Sequence, residues 1–194
     1  MNKPRGKASV RQALIEAGTK LFAERGPDDV SVRELAAHAG VNHGLVHRHF
    51  GSKDGLLQAT MAKLADDVAE SVGPDDPSES LAQLLNTTFG ATEEATHWRI
   101  LARSLLDGIP VAELQDDFPV VRRMLAAADR GVSSPLTPQS LVTLLLAGGL
   151  GLLLFEAYLR EATGQQADSD WQATRRELAA LAMRSASPDQ SAKK

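Results

Sequence analysis

The sequence predicts an all-α protein. Three observations carry this. Aromatics make up only 4% of the 194 residues, and the apolar fraction rests on Ala, Leu and Val, which favour helix over strand. Several segments open on helix-capping signatures. No alternation of polar and apolar residues runs long enough for a strand, and no internal repeat is visible.

The elements follow in order. Ser9-Val10-Arg11-Gln12 fits a capping box, in which a hydroxyl and a third-position side chain satisfy orphan N–H groups. A helix over 10–24 follows, with Leu14, Ala17, Leu21 and Phe22 as its buried stripe, and Arg25-Gly26-Pro27 ends it. Ser31-Val32-Arg33-Glu34 is a second capping box and opens a short helix over 32–38 that closes at Ala39-Gly40. A third short helix is expected over 42–49, broken by Gly51-Ser52, with Ser52 capping a longer helix over 53–72. Gly73-Pro74-Asp75-Asp76-Pro77 is a turn. Asp76-Pro77 and Thr137-Pro138 each place proline at a first helical position. Further helices are expected over 78–92, 95–106, 119–130, 138–162 and 170–184, and the tail over 186–194 is expected to be disordered.

Composition bounds the function. There is no cysteine, so a disulfide framework and a thiolate zinc site are both excluded. The start, MNKPRGKAS, is basic but has no apolar stretch of the signal-peptide kind. The longest apolar run, 141–155, is 15 residues with Thr143 and three glycines inside it, whereas a membrane span needs ~20. A cytoplasmic protein with no membrane partner is expected. The net charge is −4, but it is unevenly spread. Residues 1–55 hold nine Lys/Arg against six Asp/Glu, or +3, with four of the five histidines; residues 56–194 hold twelve against nineteen, or −7. A basic head on an acidic body suits a protein that presents one end to a polyanion.

Helix 32–38, a turn at Gly40 and helix 42–49 have the layout of a helix-turn-helix. Glycine reaches the positive φ such a turn needs, and Ala36 and Ala39 let the two helices approach. Leu35, Val41, Val46 and Phe50 would fill the wedge against the first helix. Asn42, His43, Gly44, Leu45, His47 and Arg48 are then left away from the core, as side chains that read a major groove must be. Protonation of histidines on such a face adds positive charge, so DNA affinity is expected to rise from pH 8 to pH 6.

The stretch TKLFAERGPDDVSVRELAAHAGVNHGLVHRHFGSKDGLL, residues 19–57, closely resembles the DNA-binding region of the TetR family of bacterial transcriptional regulators. The resemblance rests on Leu21-Phe22 with Gly26, Ser31 to Ala36, Ala39-Gly40-Val41, His49-Phe50-Gly51-Ser52-Lys53 and Leu56-Leu57. One position departs: His47 stands where the family usually carries a tyrosine that contacts the DNA backbone. The resemblance implies that Asn42, His43, Gly44 and Leu45 face base edges, that His47, Arg48 and His49 contact backbone or bases, that Ser31, Val32 and Lys53 anchor phosphates, and that Arg33 can reach bases. It also implies a C-terminal helical domain that binds a small effector and dimerises. The expected division is therefore 1–52 for DNA binding and 53–185 for effector binding and dimerisation.

In that second part, 141–159 is apolar nearly all round, so both of its faces must be covered. With the helix around 170–184 it suggests a homodimer interface of two helices per subunit, 138–162 being the first. Phe89, His97, Trp98, Leu101, Arg103, Leu105, Phe118, Met124, Phe155 and Tyr158 are candidates for lining an effector cavity. The expected protein is thus no enzyme but a repressor released from a double-stranded operator by a small molecule, with no cofactor or metal. Two alternatives stand beside it. One is a metal-dependent hydrolase using His43, His47 and His49. The pair His43 and His47 has metal-ligand spacing, but the residue after His43 is Gly44 rather than the glutamate that a zinc protease uses as general base. The other is a DNA-binding protein without an effector.

Overall fold

A computed structural model describes residues 6–185, apart from 75, 91–94, 116 and 132–134. The tail over 186–194 and the end of the helix expected over 78–92 lie outside the described residues. Eleven α-helices and no strand occur among those residues. They are α1 (Lys7–Arg25), α2 (Val32–His38), α3 (Gly44–Phe50), α4 (Lys53–Val72), α5 (Leu81–Gly90), α6 (Ala95–Leu106), α7 (Val111–Leu114), α8 (Pro119–Gly131), α9 (Pro138–Leu154), α10 (Glu156–Ala162) and α11 (Asp168–Ser185). The fold is all-α, as expected.

Two compact units divide the chain, the first taking the described residues of Met1–Val68 and Glu93–Asp117, the second those of Ala69–Thr92 and Phe118–Lys194. This cut differs from the one expected at 52/53. The first core explains why: Leu14, Phe22, Leu35, Val46 and Leu56 are sealed together with Ile100 of α6 and Leu114 of α7. Around it α1 packs against α2, α3 and α6. A Cβ added to Gly18 of α1 would stand 2.7 Å from the Thr60 hydroxyl of α4, so a glycine is needed where these two helices meet. The second core gathers Leu81, Leu84, Met124, Ala128, Leu141 and Val142 from α5, α8 and α9.

Several expected helix starts are corrected. The Ser9 capping box does not form: α1 begins at Lys7, with Gly6 as its N-cap and no side-chain cap bond, so Ser9 lies inside the first turn. Asp76 does not open α5. Its carboxylate accepts from Ser78 N at 2.8 Å and closes a turn, while a box of Ser80 and Gln83 caps the helix at Leu81. Thr137 and Ser52 do cap: Thr137 Oγ1 accepts from Ser140 N, and Ser52 Oγ from Gly55 N at 3.0 Å. The helix expected over 138–162 is two, because Phe155 leaves helical geometry (φ −110°, ψ 20°) and the chain turns by 85°. No single helix among the described residues is long and apolar enough to cross a membrane; this bent pair meets the length and composition only together.

Arg123 of α8 was not singled out by sequence. Its guanidinium donates to the carbonyls of Gly73 (2.7 Å) and Pro74 (3.0 Å) and pairs with the Glu79 carboxylate. It ties the α4–α5 turn to the second core.

Candidate nucleic-acid interface

The turn between α2 and α3 is set by backbone bonds. Val41 N donates to Ala36 O (2.9 Å) and Gly40 N to Ala37 O (3.1 Å), with Gly40 at φ +68°. This is the Schellman arrangement, in which the residue after the cap adopts the left-handed region that glycine takes without penalty. It delivers the chain into α3 with Val46 fully buried in the first core, so the opposite side of α3 faces water. Asn42, His43, Gly44, His47 and Arg48 are exposed there. Leu45 is a correction: it is half-buried against the first core, because an apolar side chain next to Val46 gains more from the wedge than from water. Val32 likewise packs against the core rather than standing free, and His49 is half-buried.

α3 starts at Gly44, two residues later than expected, with His43 as its N-cap. Asn42 Oδ1 accepts from Gly44 N at 2.9 Å. A Cβ at position 44 would come within 3.3 Å of that oxygen, so glycine makes room for the bond. With its oxygen engaged, Asn42 presents its NH₂ outward as a donor suited to base acceptors such as guanine O6 and N7. His47 Nδ1 lies 3.0 Å from Gly51 O. A carbonyl only accepts, so Nδ1 carries the proton, and Nε2 of the neutral ring is a lone pair. It donates to a phosphate only once the ring is protonated.

The anchoring residues are held by a second network. Ser31 forms the expected capping box: Glu34 N donates to its hydroxyl, and Glu34 Oε2 accepts from both Ser31 N (2.9 Å) and Ser31 Oγ (2.7 Å). Arg25 completes it, pairing with Glu34 at 2.9 Å and donating to Asp29 O. The Arg25 bond, followed by those from Ser31, pushes the Glu34 carboxyl down to about 2. Lys53 Nζ donates to Pro27 O at 2.7 Å, which fixes the α1–α2 turn to the start of α4. An ammonium has three donors, so this bond leaves two for a phosphate. Arg33 and Arg48 are exposed and have no carboxylate partner among the described residues. Arg11, which sequence reading missed, stacks its guanidinium 5.3 Å from the centre of the Phe50 ring at the end of α3. Its spacing of four from Lys7 was the available signal.

Among the described residues no three His, Asp or Glu side chains gather as a metal site would require. The ten candidate pocket residues divide between the two units. His97 is buried in the first with Trp98 and Leu101 half-buried beside it on α6, while Arg103 and Leu105 are exposed. In the second, Met124 is core, whereas Phe118, Phe155 and Tyr158 face outward, and the Phe89 side chain lies outside the described residues. Burial pushes the His97 imidazole down to about 4, its Nδ1 has no partner among the described residues, and its ring meets Trp98 edge-on at 5.0 Å. A cleft of about 640 Å³ runs between α1, α4 and α6 in the first unit, lined by Ile15, Leu64 and charged side chains including Lys20, Asp67 and Arg99. None of the ten lines it.

Comparison with known proteins agrees with this geometry. Residues 14–60 match the family model described as bacterial regulatory proteins, tetR family. The chain is 40% identical over 161 residues to the HTH-type transcriptional repressor Rv3405c of Mycobacterium tuberculosis, covering 83% of this chain and 81% of that one. It is 30% identical over 169 residues to the HTH-type transcriptional regulator BetI of Brucella anthropi, covering 81% and 84%. Its fold is similar to that of a bacterial regulatory protein in the tetR family from Rhodococcus RHA1, with TM-score 0.64, 17% identity, and 93% and 98% of the two chains covered. The hydrolase alternative gains no support from these relatives. An outward-facing α3, set by a glycine turn and matched in sequence to these regulators, makes the chain a DNA-binding transcriptional regulator of the TetR family.

Proposed function

We propose that the protein is a cytoplasmic, homodimeric repressor that places two copies of α3 in successive major grooves of a pseudo-palindromic operator. The observation that carries this is the split of α3 between a sealed Val46 and an exposed row of Asn42, His43, His47 and Arg48. Asn42 and His43 read bases and Arg33 can reach them, while Arg48, Lys53 and the α2 start around Ser31 hold the backbone. Dimerisation through α9–α10 and α11 is supported by Leu144, Phe155, Tyr158 and Leu181, which leave large apolar surface uncovered. A relative named as a repressor supports the direction of control. A small molecule that fits one spacing of the heads better than the other releases the DNA.

The test is selection of a binding sequence from a random duplex pool, followed by titration of that duplex and of a random one. His43→Ala should weaken the selected duplex by about 1–3 kcal/mol and relax base preference, whereas Lys53→Ala should weaken both duplexes alike and flatten the salt dependence. Equal loss on both duplexes for both variants would show the base and phosphate roles to be misassigned. A thermal-shift screen tests release: a stabilising compound that also lowers operator affinity supports it, and its absence across a broad library favours the effector-independent reading.

A further inference from the structure

The first turns of α1 hold no acidic residue, and Lys7 and Arg11 stand exposed one turn apart on that helix. The nearest α1 carboxylate, Glu16, accepts a hydrogen bond from Gln12 at 3.0 Å, and neither cation pairs with a carboxylate among the described residues. Arg11 is not loose. Its guanidinium rests on the Phe50 ring, the last residue of α3. Stacking engages the face of a guanidinium and leaves its N–H groups, which lie in the plane, free at the edge. Arg11 is thus held at the C-terminal end of α3 without losing its donors.

We propose that Arg11, with Lys7 behind it, forms a second phosphate-binding edge outside the helix-turn-helix, seated on Phe50 and meeting the DNA backbone beside the groove that α3 enters. The inference rests on the reading of α3 as the groove-reading helix. α3 is seven residues, roughly 10 Å long, so its far end stays close to the walls of a major groove that is about 12 Å wide. A helix that enters the groove by its N-terminal residues, here Asn42 and His43 on base edges, leaves its C-terminal end toward the backbone wall, and Arg11 is the cation fixed at that end.

The experiment titrates the full-length protein with two probes, a random-sequence duplex and the duplex selected by the wild type, over a range of salt. Arg11→Gln should weaken both by a similar factor, about three- to tenfold, and reduce the slope of log affinity against log salt by about 0.9 for each head, with the selected sequence unchanged. Arg11→Lys should restore the slope, since the charge returns. An unchanged slope in Arg11→Gln, whether or not its melting temperature falls, would overturn the proposal and leave Arg11 as a prop for Phe50. A changed selected sequence would also overturn it, because Arg11 would then read bases. Failure of the wild type to bind either duplex in a salt-dependent way would sink the α3 reading itself.

Discussion

The two compact units place their exposed apolar side chains differently. In the first, Leu14, Phe22, Leu35, Val46, Leu56 and Ile100 have no exposed surface, and the large apolar side chains left outside, Leu105 and Leu106, sit together at the end of α6, away from the charged and polar row of α3. The second keeps a core around Leu81 and Met124 but leaves Leu144 60%, Phe155 59% and Tyr158 70% exposed. A face kept polar can meet a polyanion without an apolar side chain in the way, whereas apolar surface spread over several helices is the kind that a protein partner covers. The difference teaches where on this chain each kind of contact would be made.

The contrast can be broken or sharpened by experiment, beginning with the largest effect. Leu35→Ala removes a sealed side chain, so urea unfolding should show a loss of about 2–5 kcal/mol at any protein concentration. A loss that shrinks on dilution would mean the first unit also depends on a partner. His97 gives the next effect. Its folded state holds a proton only below about 4, while an unfolded histidine takes one near 6.5. Below pH 6.5 the unfolded chain therefore binds a proton the fold refuses, and stability should fall by about 3 kcal/mol as pH drops from 6.5 to 4. His97→Phe should remove that slope; an unchanged slope would place the titration elsewhere.

Leu144→Ala should behave in the reverse manner to Leu35→Ala. It should leave unfolding at high dilution almost unchanged and weaken self-association by about 1.5–3 kcal/mol per subunit, measured by sedimentation equilibrium. Destabilisation independent of concentration would identify Leu144 as core. Ser31→Ala should cost about 1 kcal/mol through the lost cap. It should also lessen the acid loss linked to Glu34, whose depressed carboxyl gives stability that is present above the usual carboxylate range and lost as pH falls through about 2. The last prediction concerns the outward histidines of α3. Operator affinity at fixed salt should rise from pH 8 to pH 6, because protonation on a DNA-facing surface adds positive charge, and a flat profile would remove that idea.

Legibility followed the same division. The start and end of α2 and the start of α4 are legible to the residue, because Ser31, Gly40 and Ser52 act through local backbone chemistry that sequence displays directly. The outward row on α3 was legible for a related reason: once Val46 is inside, helical spacing settles where Asn42, His43, His47 and Arg48 point. Leu45 was misread because seven residues are too few for apolar periodicity to decide a borderline side chain. The break at Phe155 carries no proline, and although the apolar run ends there the residues that follow, Glu156 to Ala162, are ordinary helix formers, so 138–162 reads as one helix. Candidate pocket residues were the least legible. Aromatic and large apolar side chains serve as core, as interface or as cavity wall, and only packing at a distance in sequence separates Met124 from Tyr158.

Ile100 and Leu114 complete a core whose other members come from the N-terminal third of the chain. Anyone building a chimeric sensor by grafting this reading module onto a foreign receptor therefore faces a discontinuous cassette. Cutting after residue 52 would uncover Leu14 and Phe22, whereas carrying α4 to Val68 together with the returning segment 93–117 transfers the module with its seal intact.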